Sequence, residues 1–429
     1  MRRGARAQGR RGARAQGRRG AVVAGLVAVA GIAAAAVVAG AQAPPALPAA
    51  LRPSDPAPLR PSVPAPSTTY YLYVVSEGSD KVQLLKFGPG GFVLDHSFTT
   101  GMMPTDPDGP HGVAVAPDGK HYFVSTGHGT PYGRIWKYAT GSDTPEGQTE
   151  LGLFPATVSV SPDGYIAYVV NFNPFGEKVP SSVSVVATEE MQEIAKVTTC
   201  VMPHGSRLSP DGKRHYSACM VDDLAVEIDT RTLKVSRYFV VTKGKEKGVT
   251  GAPSPAPAAT VAATAQPAGH DMGGHGTEPA KPGDVACSPT WAQPSSDGRR
   301  LFVACSKSND IAVIDVDGWK LVGRWPAGDG VYNLAVTHDG RLLLATNKRG
   351  QSVSVFDAQS GKELKRLATL RKVVHGVAVS PDDKYAFVSV EGKGSEPGTV
   401  EAIDLRALAT VGTVDVGPMA GGVDVWKAE

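Results

Sequence analysis

From about residue 110 to the end, the chain repeats one pattern of apolar and polar positions. Alternating or wholly apolar segments stop at Asp118-Gly119, Asp163-Gly164, Asp211-Gly212, Asp297-Gly298, Asp339-Gly340 and Asp382-Asp383. HGVAVAPDG from His111, ATVSVSPDG from Ala156 and HGVAVSPDD from His375 show the pattern most plainly. Period-two alternation ending in Pro-Asp-Gly predicts a strand and a hairpin turn, because proline sets one φ and Asp-Gly accepts the tightly turned positions. Each turn is followed by a β-rich second segment (HYFVST, YIAYVV, RLFVAC, RLLLAT, YAFVSV), then a third (SSVSVV, DIAVIDV, QSVSVFDA, GTVEAIDL) and a fourth (KLVGRW, KELKRL, ATVGTVDV). Four short antiparallel strands per unit, at roughly 40–45 residues, predict a blade of an all-β propeller.

The chain ends supply the missing blade. Residues 70–98 read as second, third and fourth strands without a first, and residues 421–426 read as a first strand with nothing after it. Joined, they close a ring of seven blades, six of them starting near 110, 155, 203, 288, 331 and 374, and remove its edges. The second strands resemble the YVTN-type repeat, most closely at Tyr168-Val169-Val170-Asn171 and Leu344-Ala345-Thr346-Asn347. The chain thus resembles YVTN-repeat, YncE-like seven-bladed propellers over 68–429. That resemblance implies a fold, whereas such propellers serve as binding platforms, surface proteins, cofactor-associated domains and lactonases.

Strand order predicts which residues share the channel mouth. The position seven before each turn aspartate opens a first strand on the face of the blade-to-blade loops. It holds His111, Ala156, His204, Thr290, Tyr332 and His375, with Gly421 in the composite blade. Three histidines from blades distant in sequence are therefore expected to point into one mouth, as a site for a metal or a small anionic ligand. The alternative is repeat consensus, with imidazoles bonded to neighbouring loops. The loops between second and third strands add Glu77, His128, Asn171, Asp222, Asp223, Lys307, Asn347, Lys348, Arg349 and Glu391 to that face. Trp136, Trp291, Trp319, Trp325 and Trp426 read as packing residues.

The four cysteines form two similar pairs, Cys200/Cys219 and Cys287/Cys305, each with one cysteine before a first strand and one at the end of the second. Their equivalent placement suggests two disulfides in an oxidising compartment, with four buried thiols as the alternative. They flank the longest interruption of the repeat, residues 243–284, which is Ala/Pro/Thr-rich and reads as a disordered insertion. Within it His270, Met272 and His275 could hold copper or another divalent metal, the one cofactor class the sequence suggests.

The N-terminus changes the picture of charge and location. Residues 1–43 combine an arginine-rich repeat, an Ala/Val/Gly run and Ala-x-Ala sites, the pattern of a bacterial secretory signal or an uncleaved membrane anchor. Nine prolines then make 44–67 an extended linker. A periplasmic or secreted protein, or one anchored by the N-terminal segment, is expected. The formal charge of +3 falls to −5 without the eight arginines of 1–43, a segment with no acid, so no nucleic acid is expected as a partner.

No GxSxG, HExxH, Walker loop or CxxCH occurs. The leading expectation is an exported, non-enzymatic, monomeric binding platform for a protein, small ligand or metal. The alternatives are a lactonase-type hydrolase, with Glu77, Glu391 or a channel histidine as general base, and a copper-binding or redox accessory protein.

Overall fold

A computed structural model describes residues 65–101, 108–127, 133–253 and 286–429. The chain divides into two compact units, Met1–Arg60 and Pro61–Glu429, and the first lies wholly outside the described residues. So do the expected signal segment 1–43 and residues 44–64 of the linker.

The described chain is a seven-bladed β-propeller. Seven antiparallel sheets follow one another, six of four strands and one of five. The innermost strands are Ala420–Ala428, Pro110–Val115, Pro155–Val160, Pro203–Leu208, Pro289–Pro294, Val331–Val336 and Val374–Val379, each contacting the next around the ring. Closure is as the sequence predicts. Ala420–Ala428 pairs antiparallel with Tyr70–Ser76, Tyr70 opposite Ala428 and Tyr73 opposite Asp424. Thr69 and Glu429 exchange two backbone hydrogen bonds of 2.7 and 2.9 Å beyond them. A ring closed by both termini leaves no innermost edge for another chain to extend.

The turns explain the repeat. In five blades a Ser or Thr two residues before the turn aspartate donates its hydroxyl to that carboxylate, as Ser209 does to Asp211 Oδ1 at 2.6 Å. The glycine after the aspartate is left-handed, at φ +66° to +82° in the first five turns. The last turn puts Asp383 there at φ +56°. Its carboxylate receives the backbone N–H groups of His338 and Asp339 from the preceding blade, at 2.8 and 2.9 Å. Those bonds offset the strain of a side chain in that region.

The core lies between adjacent sheets. Tyr216, Phe239, Leu301 and Trp319 fill one interval, Phe302, Leu334, Leu343 and Phe356 the next, and Tyr70, Phe87 and Phe387 the interval beside the closure. Trp319 meets Phe239, Trp325 meets Phe302 and Trp426 meets Tyr71, with ring centres 5.3–5.8 Å apart. These are packing contacts.

Both expected disulfides are present, Cys200–Cys219 and Cys287–Cys305. The insertion differs from expectation at its start. Lys247–Thr250 pairs with Lys234–Val240 as a fifth strand, and Glu246 holds Arg324 of the following blade at 2.9 Å. Residues 254–285, with His270, Met272 and His275, lie outside the described residues.

Candidate functional site

The mouth of the channel on the blade-to-blade loop face is built from one strand position. The predicted residues His111, Ala156, His204, Thr290, Tyr332, His375 and Gly421 are each second in an innermost strand. Six of their carbonyls accept a bond from a side chain of the preceding blade. Ser125 donates to Ala156, Thr157 to His204, His204 Nδ1 to Thr290, Thr290 to Tyr332, Thr346 to His375 and Ser389 to Gly421. Blade order around the mouth is thus held by side chains as well as by packing.

The three histidines converge. The ring centre of His111 lies 5.3 Å from that of His375 and 6.0 Å from that of His204, and Tyr332 lies 5.2 Å from His204 and 5.0 Å from His375. Their bonding separates them. His204 spends Nδ1 on the Thr290 carbonyl (3.0 Å), which makes Nε2 the acceptor of the Tyr332 hydroxyl at 2.9 Å. His111 Nδ1 faces Glu77 Oε2 at 2.8 Å. His111 Nε2 and His375 Nδ1 are buried with no hydrogen-bond partner in the protein.

A second ring position brings the charges. The residue just after each second strand stands nine after the turn aspartate in the six continuous blades, and Glu77 corresponds to it in the composite blade. It is Glu77, Gly127, Phe172, Met220, Ser306, Lys348 and Glu391 around the seven blades. One side of the mouth is therefore ionic. Lys348 Nζ lies 2.8 Å from Glu391 Oε1 and 4.4 Å from the centre of the Tyr332 ring, and His375 Nε2 is 3.9 Å from the same carboxylate oxygen. The other side is apolar. Phe154 and Phe172 are buried, each packing edge-on against a mouth histidine, with Met202 and Met220 beside them. Phe175, 70 % exposed, extends this surface outward from Phe154.

Burial sets the protonation of the ionic side. It pushes the His375 imidazole well below the usual histidine range, with Lys348, His111 and His204 adding to the effect. It pushes Glu391 up, against the pull of Lys348. Burial opposes the Lys348 charge, but Glu391, Tyr332 and Glu77 outweigh it and hold the ammonium above its ordinary value. Burial raises the Tyr332 hydroxyl to about 12, so it remains a donor. Behind the histidines a cavity of about 30 Å³ is lined by His111, His204, His375, Asn333, Trp291 and Arg207. That is room for a water molecule or two.

Several expected site residues do other work. Asn171 and Asn347 are buried at the ends of their strands. Each donates to two serines (Ser182 and Ser184; Ser352 and Ser354) and accepts the N–H of Gly152 or Gly328. Both N–H donors of each amide are thus spent on serines, and the side chains act as staples between strands. Asp223 takes the N–H groups of Cys287 and Ser288, joining the blades on either side of the insertion. His128 lies outside the described residues. Among the described residues no group of three or more His, Cys, Asp or Glu is arranged to hold a metal ion. The sequence reading passed over Phe154, Phe172 and Phe175; for Phe172 the signal was the constant spacing from the turn aspartate.

No family model matches the chain, and no curated protein matches it in sequence. Solved structures do match. Kuenenia stuttgartiensis hydrazine synthase is similar at 19% identity over 76% of this chain and 92% of its own, with a TM-score of 0.55. A functionally unknown protein from Desulfotomaculum acetoxidans is similar at 14% identity over 83% and 98%, with a TM-score of 0.58. The β-propeller domain of Cps50 (Swd1) from Myceliophteria thermophila is similar at 13% identity over 73% and 89%, with a TM-score of 0.51. The shared feature is the propeller. At these identities likeness of fold carries no chemistry with it.

Proposed function

We propose that the chain is an exported, YVTN-type propeller serving as a non-enzymatic binding platform, which takes a small polar head group into the loop-face mouth of its channel. The observation that carries this reading is the pair of buried ring nitrogens, His111 Nε2 and His375 Nδ1, that bond to nothing in the protein. Buried polar atoms are nearly always partnered, and these two belong to residues lining a water-sized cavity. The cluster sets two carboxylates, Glu77 and Glu391, against one ammonium, which favours a neutral or cationic donor over an anion. Phe154 and Phe175 offer an apolar surface to the rest of the ligand. Export rests on the basic-apolar N-terminus, and two disulfides fit an oxidising compartment.

The test is calorimetric titration of the full chain with ethanolamine, glycerol and acetate. Saturable binding of ethanolamine or glycerol, lost in His111→Phe and in His375→Leu, is the expected result, with no binding of acetate. Binding of neither polar probe, or binding unchanged in both variants, overturns the reading. Loading with copper or zinc and measuring retained metal separates the metal alternative. Metal lost on deleting 254–285 assigns it to the segment of His270, Met272 and His275. Metal lost on replacing His111, His204 and His375 by alanine assigns it to the mouth.

One observation favours a second reading, a lactonase-type hydrolase. A histidine held by a carboxylate through Nδ1, with Nε2 uncommitted, is the arrangement of a general base. Hydrolysis of a lactone panel, abolished in His111→Ala and reduced in Glu77→Gln, would support it. Equal rates in both variants would remove it.

A further inference from the structure

The opposite end of the channel has a different chemistry. There the innermost strands finish, and all seven contribute wall to a space of about 380 Å³. Val115, Val160, Leu208, Val336 and Val379 supply apolar patches to a wall that also carries Ser159, Ser209 and Gln293. Two charged side chains reach it from strands on different sides of the ring, Arg207 and Asp424.

Their charges are met unequally. Asp424 Oδ2 accepts the Val115 N–H at 2.8 Å, and Oδ1 accepts the Val425 N–H at 2.9 Å. Its negative charge is answered by backbone donors. His338, at the rim, is likewise committed, through its backbone N–H and Nδ1, to Asp383 at 2.8 and 2.7 Å. Arg207 lays its guanidinium over the Trp291 ring, 4.5 Å from its centre, and Nη1 donates to the Ser206 carbonyl at 2.9 Å. Among the described residues no carboxylate lies within ion-pair distance of it. A guanidinium has five N–H donors in a fixed plane, so stacking and one bond leave most of the fork uncommitted. Burial draws Arg207 down to about 10, which still leaves it a cation at neutral pH. Asp424 acts on this cation across the space without closing an ion pair, so the guanidinium keeps free donors facing the space.

We propose that this end of the channel is a binding site for a small organic carboxylate. The carboxylate takes the free edge of the Arg207 guanidinium, and its hydrocarbon body lies against the valine-rich wall. A planar fork matches the two oxygens of one carboxylate. The stack on Trp291 holds that plane in position before the ligand arrives. Asp424 sets the selectivity from the other side, because it repels a second negative group on the same ligand. A monocarboxylate with an apolar body therefore fits better than a dicarboxylate or inorganic phosphate.

The experiment is calorimetric titration of the full chain with benzoate at low ionic strength, with benzamide as the uncharged comparator and inorganic phosphate as the anion without an apolar body. Saturable benzoate binding is expected, at least about tenfold tighter than benzamide or phosphate. It should weaken at least about tenfold in Arg207→Met. Removing the repelling carboxylate in Asp424→Asn should tighten it a few-fold. Should Arg207→Met fail to fold, Arg207→Lys keeps a charge and loses the fork, and benzoate should weaken there too. Failure of the wild type to bind benzoate would overturn the site. So would benzamide or phosphate binding as tightly, or benzoate binding unchanged by both Arg207 variants.

Discussion

One channel runs through the molecule, and its two ends use the same seven strands to opposite effect. The strand Pro203–Leu208 carries His204 at the loop face and Arg207 only three residues on. At the mouth the charges touch. Lys348 lies 2.8 Å from Glu391, His111 lies 2.8 Å from Glu77, and the space among the rings is about 30 Å³. At the far end Arg207 and Asp424 share a space of about 380 Å³ without pairing. The mouth is a tightly paired plug with an excess of carboxylate and a water-sized space, and the far end is a wider basin whose arginine has no ion-pair partner. The repeat dictates which strand positions line the channel. The residue types placed there decide what each end can hold.

The sharpest way to break this comparison is to remove the cation from the plug. Lys348→Met leaves Glu391 buried without its partner. Breaking a buried pair from one side costs about 3–5 kcal/mol, and denaturant unfolding of the variant should show a loss of that order. A loss under about 1 kcal/mol would mean that the mouth is wetter than its burial indicates. Next in size are the disulfides. Cys219 and Cys305 end the second strands of the blades that supply His204 and Thr290; Cys219 is bonded to Cys200 in the last strand of the preceding blade, and Cys305 to Cys287 just before a first strand. Replacing Cys200 and Cys219 together by serine should cost about 3 kcal/mol, as expected for closing a loop of this length. It should also loosen the mouth before the far end. Hydrogen exchange should then rise at His204 and Thr290 more than at Val336 and Val379, and a uniform rise would argue against two separable ends.

Acid tests the sign of each end. His375 is held neutral in the folded chain, by burial first and then by the neighbouring cations. Below the ordinary histidine value of about 6.5 the unfolded chain binds a proton that the folded chain refuses. Stability contributed here is complete above that pH and is lost as pH falls, by at most about 1.4 kcal/mol per pH unit. Asp424 runs the other way. Burial raises its pKa, so on acidification the folded chain takes up this proton before the unfolded chain does, and its contribution grows as pH falls. Stability measured between pH 6.5 and 5 should therefore fall less steeply in His375→Leu than in wild type, and more steeply in Asp424→Asn. Parallel curves for all three proteins would remove the electrostatic distinction.

The plug was more legible in the sequence than the basin. A turn aspartate at constant spacing identifies the second residue of each innermost strand, so the convergence of His111, His204 and His375 follows from counting. The same count nine residues beyond the aspartate reaches Lys348, Glu391 and Phe172, which in isolation look like unrelated loop residues. Counting fails for Asn171 and Asn347, because a polar residue at a strand end can turn inward to bond serines as readily as outward to solvent. It fails for Lys247–Thr250, where pairing to an existing edge overrides a composition that reads as unstructured. Arg207 was invisible for another reason. In His-Gly-Ser-Arg-Leu it looks like an ordinary alternating strand position, and only the twist of the ring turns it onto Trp291 and into the channel.

The smallest expected effect completes the contrast. Arg207→Met removes a cation as buried in its surroundings as Lys348, yet it breaks no ion pair and leaves Asp424 with both of its backbone donors. Methionine is long and flexible enough to keep contact with the Trp291 face, where sulfur packs favourably. Stability should change by no more than about 1 kcal/mol, in either direction. Trp291 fluorescence should shift, since the guanidinium over its ring is gone. If Arg207→Met instead costs as much as Lys348→Met, the guanidinium is holding the wall together, and the far end is a second plug. If it costs little, the protein carries a desolvated arginine that its own stability does not require, and the unspent hydrogen bonds are kept for something that enters the channel.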